Sequence, residues 1–134
     1  MNTLSRPASL AGLRHVALFV KELEACEQFY TKLLGMAVEW RPDNDNVYLS
    51  GGRDNLALHR AQEVAPLQNQ RLDHIGFIVD TLNDVDQWYA FLLAKGVKMS
   101  KEPRTHRDGA RSFYCFDPDG TVVQLIYHPP LSGR

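Results

Sequence analysis

Two histidines stand at matching points of this chain. His15 opens "HVALFV" and His74 opens "HIGFIV". Neutral imidazole suits Ni, Zn, Fe or Mn, so two of them at equivalent places form a candidate divalent-metal centre. A single strand-borne histidine is more often a hydrogen-bonded structural residue. The matched placement is what favours a ligand pair. A second group lies in the loop "KEPRTHRDGAR", which carries Arg104, His106, Arg107 and Arg111. Guanidinium forks can clamp a carboxylate or phosphonate, although a solvated loop can carry the same charges with no ligand. Arg111, just before the strand "SFYCF", is the basic side chain best placed to reach a ligand. No nucleophile constellation is legible. Ser50 and Ser112 have no evident His/Asp partners, and neither Cys26 nor Cys115 sits in an electropositive motif. The turn "SGGRDN" matches neither phosphate-cradling glycine motif.

These residues need elements to hold them, and the elements repeat. Leu13–Leu34 aligns without gaps on Leu72–Leu93, at a constant offset of 72 − 13 = 59. Identities fall at Leu13/Leu72, His15/His74, Val20/Val79, Leu23/Leu82, Gln28/Gln87, Tyr30/Tyr89, Leu33/Leu92 and Leu34/Leu93. Such self-similarity marks one supersecondary unit used twice. Each copy opens with a β-branched and aromatic run, which predicts a strand. Capping and acidic residues follow, with Asp80, Thr81 and Asn83 as N-cap candidates in the second copy. Apolar residues then recur at three- and four-residue steps from Leu23 to Leu34 and from Leu82 to Leu93, which predicts a helix in each copy. Gly35 and Gly96 stop them. Three shorter strands complete each copy, near 37–41, 47–50 and 55–61, then near 97–102, 112–116 and 121–128. The unit is β-α-β-β-β. The expected organisation is one domain, 1–134, with a first module at 12–61, a linker at 62–70 and a second module at 71–128. A loose arm over 1–11 and a loose tail over 129–134 are expected. Two four-stranded sheets packed face to face would leave a curved trough lined by both.

The bulk numbers narrow the setting. With 15 basic and 16 acidic residues the formal net charge is −1, which gives no footprint for nucleic acid or an anionic membrane surface. The first residues lack a signal-length apolar run and no segment is long enough to span a bilayer. Two widely spaced cysteines read as reduced thiols. A cytoplasmic location is expected.

The paired β-α-β-β-β repeat, with a histidine on the first strand of each copy, resembles the vicinal oxygen chelate superfamily. That group includes glyoxalase I, extradiol ring-cleavage dioxygenases, fosfomycin resistance enzymes and bleomycin-sequestering proteins. The resemblance covers Leu13 to Tyr127. Its most specific local piece is "RSFYCFDPDGTVVQLIY", which looks like the family's final hairpin, "SFYFxDPDGxxxEL". The Asp117-Pro118-Asp119-Gly120 stretch is also a tight turn on physical grounds. The resemblance implies an α+β fold in which two tandem βαβββ modules form a curved, open-barrel trough. It implies a small-molecule substrate, a divalent metal and, in many relatives, a homodimer.

The family pattern places metal ligands on the first and last strand of each copy. His15 and His74 match. The last-strand position of the second copy is Gln124, where the family usually has Glu. In the first copy, pairing Tyr48 with Tyr114 sets Leu58 opposite Gln124, and a one-residue slip would present His59 instead. A slip of one flips the strand face, so one of the two points into the trough. The implied set is His15, His74 and Gln124, with His59 as a fourth if the register slips. It has no carboxylate. An O2-activating Fe(II) triad wants two His and one carboxylate, and a glyoxalase-type proton transfer wants a base beside the metal. A neutral His/Gln set leaves the ion's charge uncompensated and favours an anionic substrate. Tyr114 matches a family tyrosine that contacts substrate, and Arg111 would join it. Two readings follow. One is a metal-dependent lyase, isomerase or dioxygenase acting on a small, oxygen-rich, anionic substrate. The other is a metal-free small-molecule binding protein of the bleomycin-resistance type.

Overall fold

Alternation in the opening run decides which side chains meet the core. In β1 (His15–Val20) the even residues Val16, Leu18 and Val20 share one face, and Leu18 and Val20 are buried there. The computed structural model describes residues 4–7, 12–63 and 72–133. Most of the expected linker, 64–70, and parts of the N-terminal arm lie outside the described residues.

Each copy folds as β-α-β-β-β. The first comprises β1, α1 (Leu23–Gln28), β2 (Ala37–Asp43), β3 (Asn46–Ser50) and β4 (Asn55–Arg60). The second comprises β5 (Ile75–Ile78), α2 (Leu82–Ala94), β6 (Met99–Thr105), β7 (Arg111–Phe116) and β8 (Val122–Tyr127). They make two open four-stranded mixed sheets, ordered β1-β4-β3-β2 and β5-β8-β7-β6. The first strand of each copy pairs parallel with the last, and the other pairs are antiparallel. Among the described residues no helix is long and apolar enough to cross a membrane.

Helix α2 follows its sequence signals closely. Thr81 caps it: its hydroxyl accepts from the Asp84 N–H while the Asp84 carboxylate accepts from the Thr81 N–H, at 3.1 Å each. It ends at Gly96 (φ +81°), where Gly96 N–H bonds the Leu93 carbonyl and Val97 N–H that of Leu92. Helix α1 departs from the expected uniform α-helix. After Gln28 it widens into a π-helical turn over Phe29–Leu33, with Leu34 N–H reaching back to the Phe29 carbonyl. The Thr31 hydroxyl donates to the Glu27 carbonyl at 2.7 Å, a side-chain bond that competes with the regular ladder in this turn.

One hydrophobic cluster runs through both copies, from Leu18, Val20, Leu23, Phe29, Tyr30, Leu49, Leu56 and Leu58 to Val85, Leu92, Phe113, Cys115, Val123 and Leu125. Full burial of each Leu or Val in it contributes roughly 1.5–3 kcal/mol. The copies are joined by the turn after β7. The Asp119 carboxylate accepts from Lys21 N–H and Glu22 N–H at 2.8–3.1 Å, which engages free donors at the start of α1. Glu22, the N-cap itself, makes no side-chain cap bond. Beneath it, the buried Tyr30 hydroxyl donates to Asp117 Oδ2 at 2.8 Å. Burial raises the Asp117 carboxyl above its ordinary value, and pushes the Tyr30 phenol well above its own. Both neighbouring thiols rise for the same reason, Cys115 to about 12. The C-terminal tail is tied down: His128 N–H bonds the Ser132 hydroxyl and Gly133 N–H the Asp80 carboxylate.

Candidate functional site

Each sheet buries one face under its helix and leaves the other uncovered. In the first sheet the odd residues of β1 lie on the uncovered face: His15, Ala17 and Phe19, with parallel partners Asn55, Ala57 and His59 on β4. Tyr48 stands opposite Ala57, and Trp40 opposite Tyr48. In the second sheet the same face carries Gly76 and Ile78 of β5, Gln124 and Ile126 of β8, and Ser112, Tyr114 and Phe116 of β7. Lys101 and Arg104 on β6 pair with Tyr114 and Ser112. His74 sits just before β5.

The two histidines are held alike. His15 Nδ1 lies 2.8 Å from Asn55 Oδ1, and His74 Nδ1 lies 2.6 Å from Asp73 Oδ2. Neither oxygen can donate, so Nδ1 is the donor in each ring, and in the neutral imidazole that leaves Nε2 as the nitrogen with the lone pair. An acceptor behind Nδ1 is also the usual way to orient a metal-binding imidazole. Both rings line one cleft of about 670 Å³, together with Asn55, Gly76 and Ile78. The His74 ring meets the Tyr114 ring edge-on, with centroids 5.2 Å apart.

Gln124 is buried and crosses the ladder to Tyr114, its Nε2 donating to the phenol oxygen at 3.0 Å. Its Oε1 turns toward Gly76, where an added Cβ would lie 3.3 Å from that oxygen. Glycine at 76 thus leaves room for the carboxamide. Among the described residues no three His, Cys, Asp or Glu side chains gather into a metal-holding group. The donors that the family pattern selects are two imidazole nitrogens, which share the cleft, and the Gln124 amide oxygen, whose residue is not among those lining it. They suit a borderline divalent ion in number and type but add no charge.

Three expectations need correction. The counterpart of Gln124 in the first copy is Ala57, not Leu58 or His59, because Tyr48 pairs with Ala57 while Tyr114 pairs with Gln124. Leu58 is fully buried on the helix side. His59 does lie on the uncovered face, but four residues along β4 from the partner of His15, or about 13 Å at the usual rise. It bonds Asn46 Oδ1 at 2.6 Å and packs against Phe19 and Tyr48. Arg111 alternates away from Tyr114 onto the helix side. There it forms a two-pronged pair with Asp86 of α2 at 2.7 and 3.1 Å and donates to the Thr105 hydroxyl, and the Asp86 bond holds its guanidinium above the ordinary value. Basic residues on Tyr114's face include Lys101, whose ammonium lies 5.5 Å from the Tyr114 ring centroid, and Arg104. Arg104 shares this face only because the β6–β7 register shifts between Lys101 and Arg104, an irregularity that sequence alternation does not announce. Trp40 and Tyr48 stack on the uncovered face with centroids 5.2 Å apart, whereas Phe113 is buried against Tyr89 of α2.

Comparison with known proteins matches residues 12–125 to the Glyoxalase/Bleomycin resistance protein/Dioxygenase superfamily. The uncharacterized protein YqjT of Bacillus subtilis (strain 168) is 28% identical over 125 residues, covering 85% of this chain and 97% of its own. The metallothiol transferase FosB of Staphylococcus epidermidis is 28% identical over 120 residues, covering 87% of this chain and 81% of its own. The crystal structure of lactoylglutathione lyase from Agrobacterium tumefaciens superposes with a TM-score of 0.76 at 24% identity, covering 95% of this chain and all of that one, a likeness of fold.

Proposed function

The chain belongs to the Glyoxalase/Bleomycin resistance protein/Dioxygenase superfamily, and from that premise we propose that it is a divalent-metal-dependent enzyme acting on a small, oxygen-rich, anionic substrate. His15 and His74 would hold the ion through Nε2 and Gln124 through Oε1. The observation that supports this reading is the matched pair of Nδ1 contacts, to Asn55 and to Asp73, which in the neutral rings turns the same nitrogen, Nε2, to a ligand. A bound Ni, Zn, Fe or Mn ion would act there as a Lewis acid on a substrate oxygen. With neutral donors the ion keeps its charge, and Lys101 and Arg104 on the Tyr114 face add to it. Both features favour an anionic substrate. The missing carboxylate argues against dioxygenase chemistry and against an isomerase that needs a base beside the metal. The metal dependence named for the Staphylococcus epidermidis relative agrees with the proposal. We further assign a homodimer, because Phe19, Trp40 and Ile78 on the uncovered faces are 73%, 58% and 44% exposed and need a cover.

The test is elemental analysis of protein purified without chelator and then titrated with Ni, Zn, Mn and anaerobic Fe(II). About one ion per chain, lost in both His15→Ala and His74→Ala, is expected. A wild type that binds none of the four sinks the reading. The competing reading is a metal-free binding protein. It is favoured by the exposed Trp40–Tyr48 stack, a ready platform for a planar ligand. Ligand binding that persists unchanged after chelation would select it.

A further inference from the structure

A second cleft lies on the seam between the two copies, and the proposed metal chemistry makes no use of it. It holds about 850 Å³ and shares no lining residue with the cleft of the two histidines. Three segments enclose it: one face of α1 and its π-helical turn, the loop between α2 and β6, and the turn from Phe116 to Gly120. Each brings apolar surface. Phe29 and Leu33 come from the first, Val97 from the second and Phe116 from the third. The helix and the loop also bring cations. Lys32, Lys95 and Lys98 line the cleft, and all three are exposed. Among the described residues none of the three makes an ion pair. The Lys98 ammonium lies 5.3 Å from the Phe116 ring centroid, so one charge already stands against the apolar wall. That of Lys95 lies 5.7 Å from the Phe91 ring centroid.

The acids nearby are engaged elsewhere. Glu24 and Glu27 of α1 pair with Arg60 and Arg41. Asp117 is buried under the Tyr30 hydroxyl and the Asp119 and Thr121 N–H groups, and Asp119 accepts from the Lys21 and Glu22 N–H groups. We propose that this cleft is a second ligand site, for an amphiphilic organic acid whose apolar chain lies along Phe29, Val97 and Phe116 and whose carboxylate sits among Lys32, Lys95 and Lys98. A small hydrophilic anion leaves the apolar walls wet, and an uncharged chain makes no use of the ammoniums. A ligand with both parts uses both. It also touches the helix of the first copy and the turn of the second, so binding stabilises the seam by mass action.

The experiment titrates octanoate by calorimetry into chelator-treated wild type, the Lys32→Gln/Lys95→Gln/Lys98→Gln variant and Arg53→Gln. Acetate and 1-octanol are run as the charge without the chain and the chain without the charge. Arg53 is exposed in the turn between β3 and β4 and removes a cation outside the cleft. Circular dichroism checks that each variant is folded. One octanoate per chain is expected, bound more tightly than 1-octanol, with no measurable heat from acetate. Exposed ammonium–carboxylate pairs set the loss of octanoate affinity in the triple variant at about 3- to 10-fold. Its 1-octanol affinity and the octanoate affinity of Arg53→Gln stay at the wild-type value, and added salt narrows the gap between octanoate and 1-octanol. Octanoate raises the Tm of wild type more than that of the triple variant. Should the triple variant fail to fold, Lys98→Gln takes its place with a smaller loss. A wild type that binds no octanoate overturns the proposal. So does equal octanoate affinity in wild type and the lysine variant, or equal affinity for octanoate and 1-octanol.

Discussion

Removing one oxygen from Tyr30 tests the seam on which both copies depend. Tyr30 is fully buried, and Asp117 is 3% exposed. Asp117 Oδ1 accepts from Asp119 N–H and Thr121 N–H, while Oδ2 accepts from the Tyr30 hydroxyl. Tyr30→Phe keeps the ring and its contacts with Phe29 and Phe77, and leaves Oδ2 without its donor. Orphaning one oxygen of a buried carboxylate costs about 1–3 kcal/mol. At ~2.1 cal/mol/K per residue, 134 residues have an unfolding entropy near 0.28 kcal/mol/K, so a 2 kcal/mol loss lowers Tm by about 7 °C. The pH dependence carries a sign. Burial already raises the Asp117 carboxyl in the folded state, and the Tyr30 bond opposes that rise. Without it the folded carboxyl titrates higher still. A carboxyl raised on folding costs stability as pH climbs through its folded value, and protonation removes the cost. The loss in Tyr30→Phe is therefore full at neutral pH and shrinks as the buffer is acidified through that raised value. Differential scanning fluorimetry at pH 7.5 and at a series of acidic pH values reads it, with Asp117→Asn as background. Equal Tm at neutral pH, or a deficit that persists unchanged on acidification, would refute the account.

Two further outcomes follow from where the side chains point. Arg104→Ala is expected to weaken methylphosphonate binding several-fold, while Arg111→Ala leaves it unchanged because its guanidinium is engaged by Asp86 on the helix side; calorimetry on both variants checks this. If a second copy covers the uncovered faces, sedimentation velocity on wild type gives a dimer, and Trp40→Glu shifts it toward monomer while the chain stays folded; a monomeric wild type removes that assignment.

What could be read in advance, and what could not, divides along physical lines. The repeat, the strand–helix alternation and the second helix with its Thr81 cap were legible because each rests on residues within a few positions of one another. The seam was not: Asp119 reaches Lys21 across 98 positions, and no local pattern announces such a contact. His15 and His74 were legible as a pair, but the acceptors behind them, Asn55 and Asp73, look ordinary until the fold sets them beside the rings. The ladder error over Leu58 and His59 has a countable cause. Four residues, 51–54, join β3 to β4, whereas five, 117–121, join β7 to β8. Tyr48 therefore meets Ala57 nine positions on, while Tyr114 meets Gln124 ten on. That single residue moves every side chain of β4 to the other face relative to an ungapped alignment. It also shows how the two copies have parted. At the rung two residues past each histidine, the first copy sets Ala17 beside Ala57, a bare ledge with nothing to donate or accept. The second sets Gly76 beside Gln124, a gap filled by a carboxamide that reaches Tyr114. The fold supplies two equivalent places for a polar group and the chain uses one, so the chemistry beyond the two imidazoles collects on the second module, where Tyr114, Lys101 and Arg104 also stand.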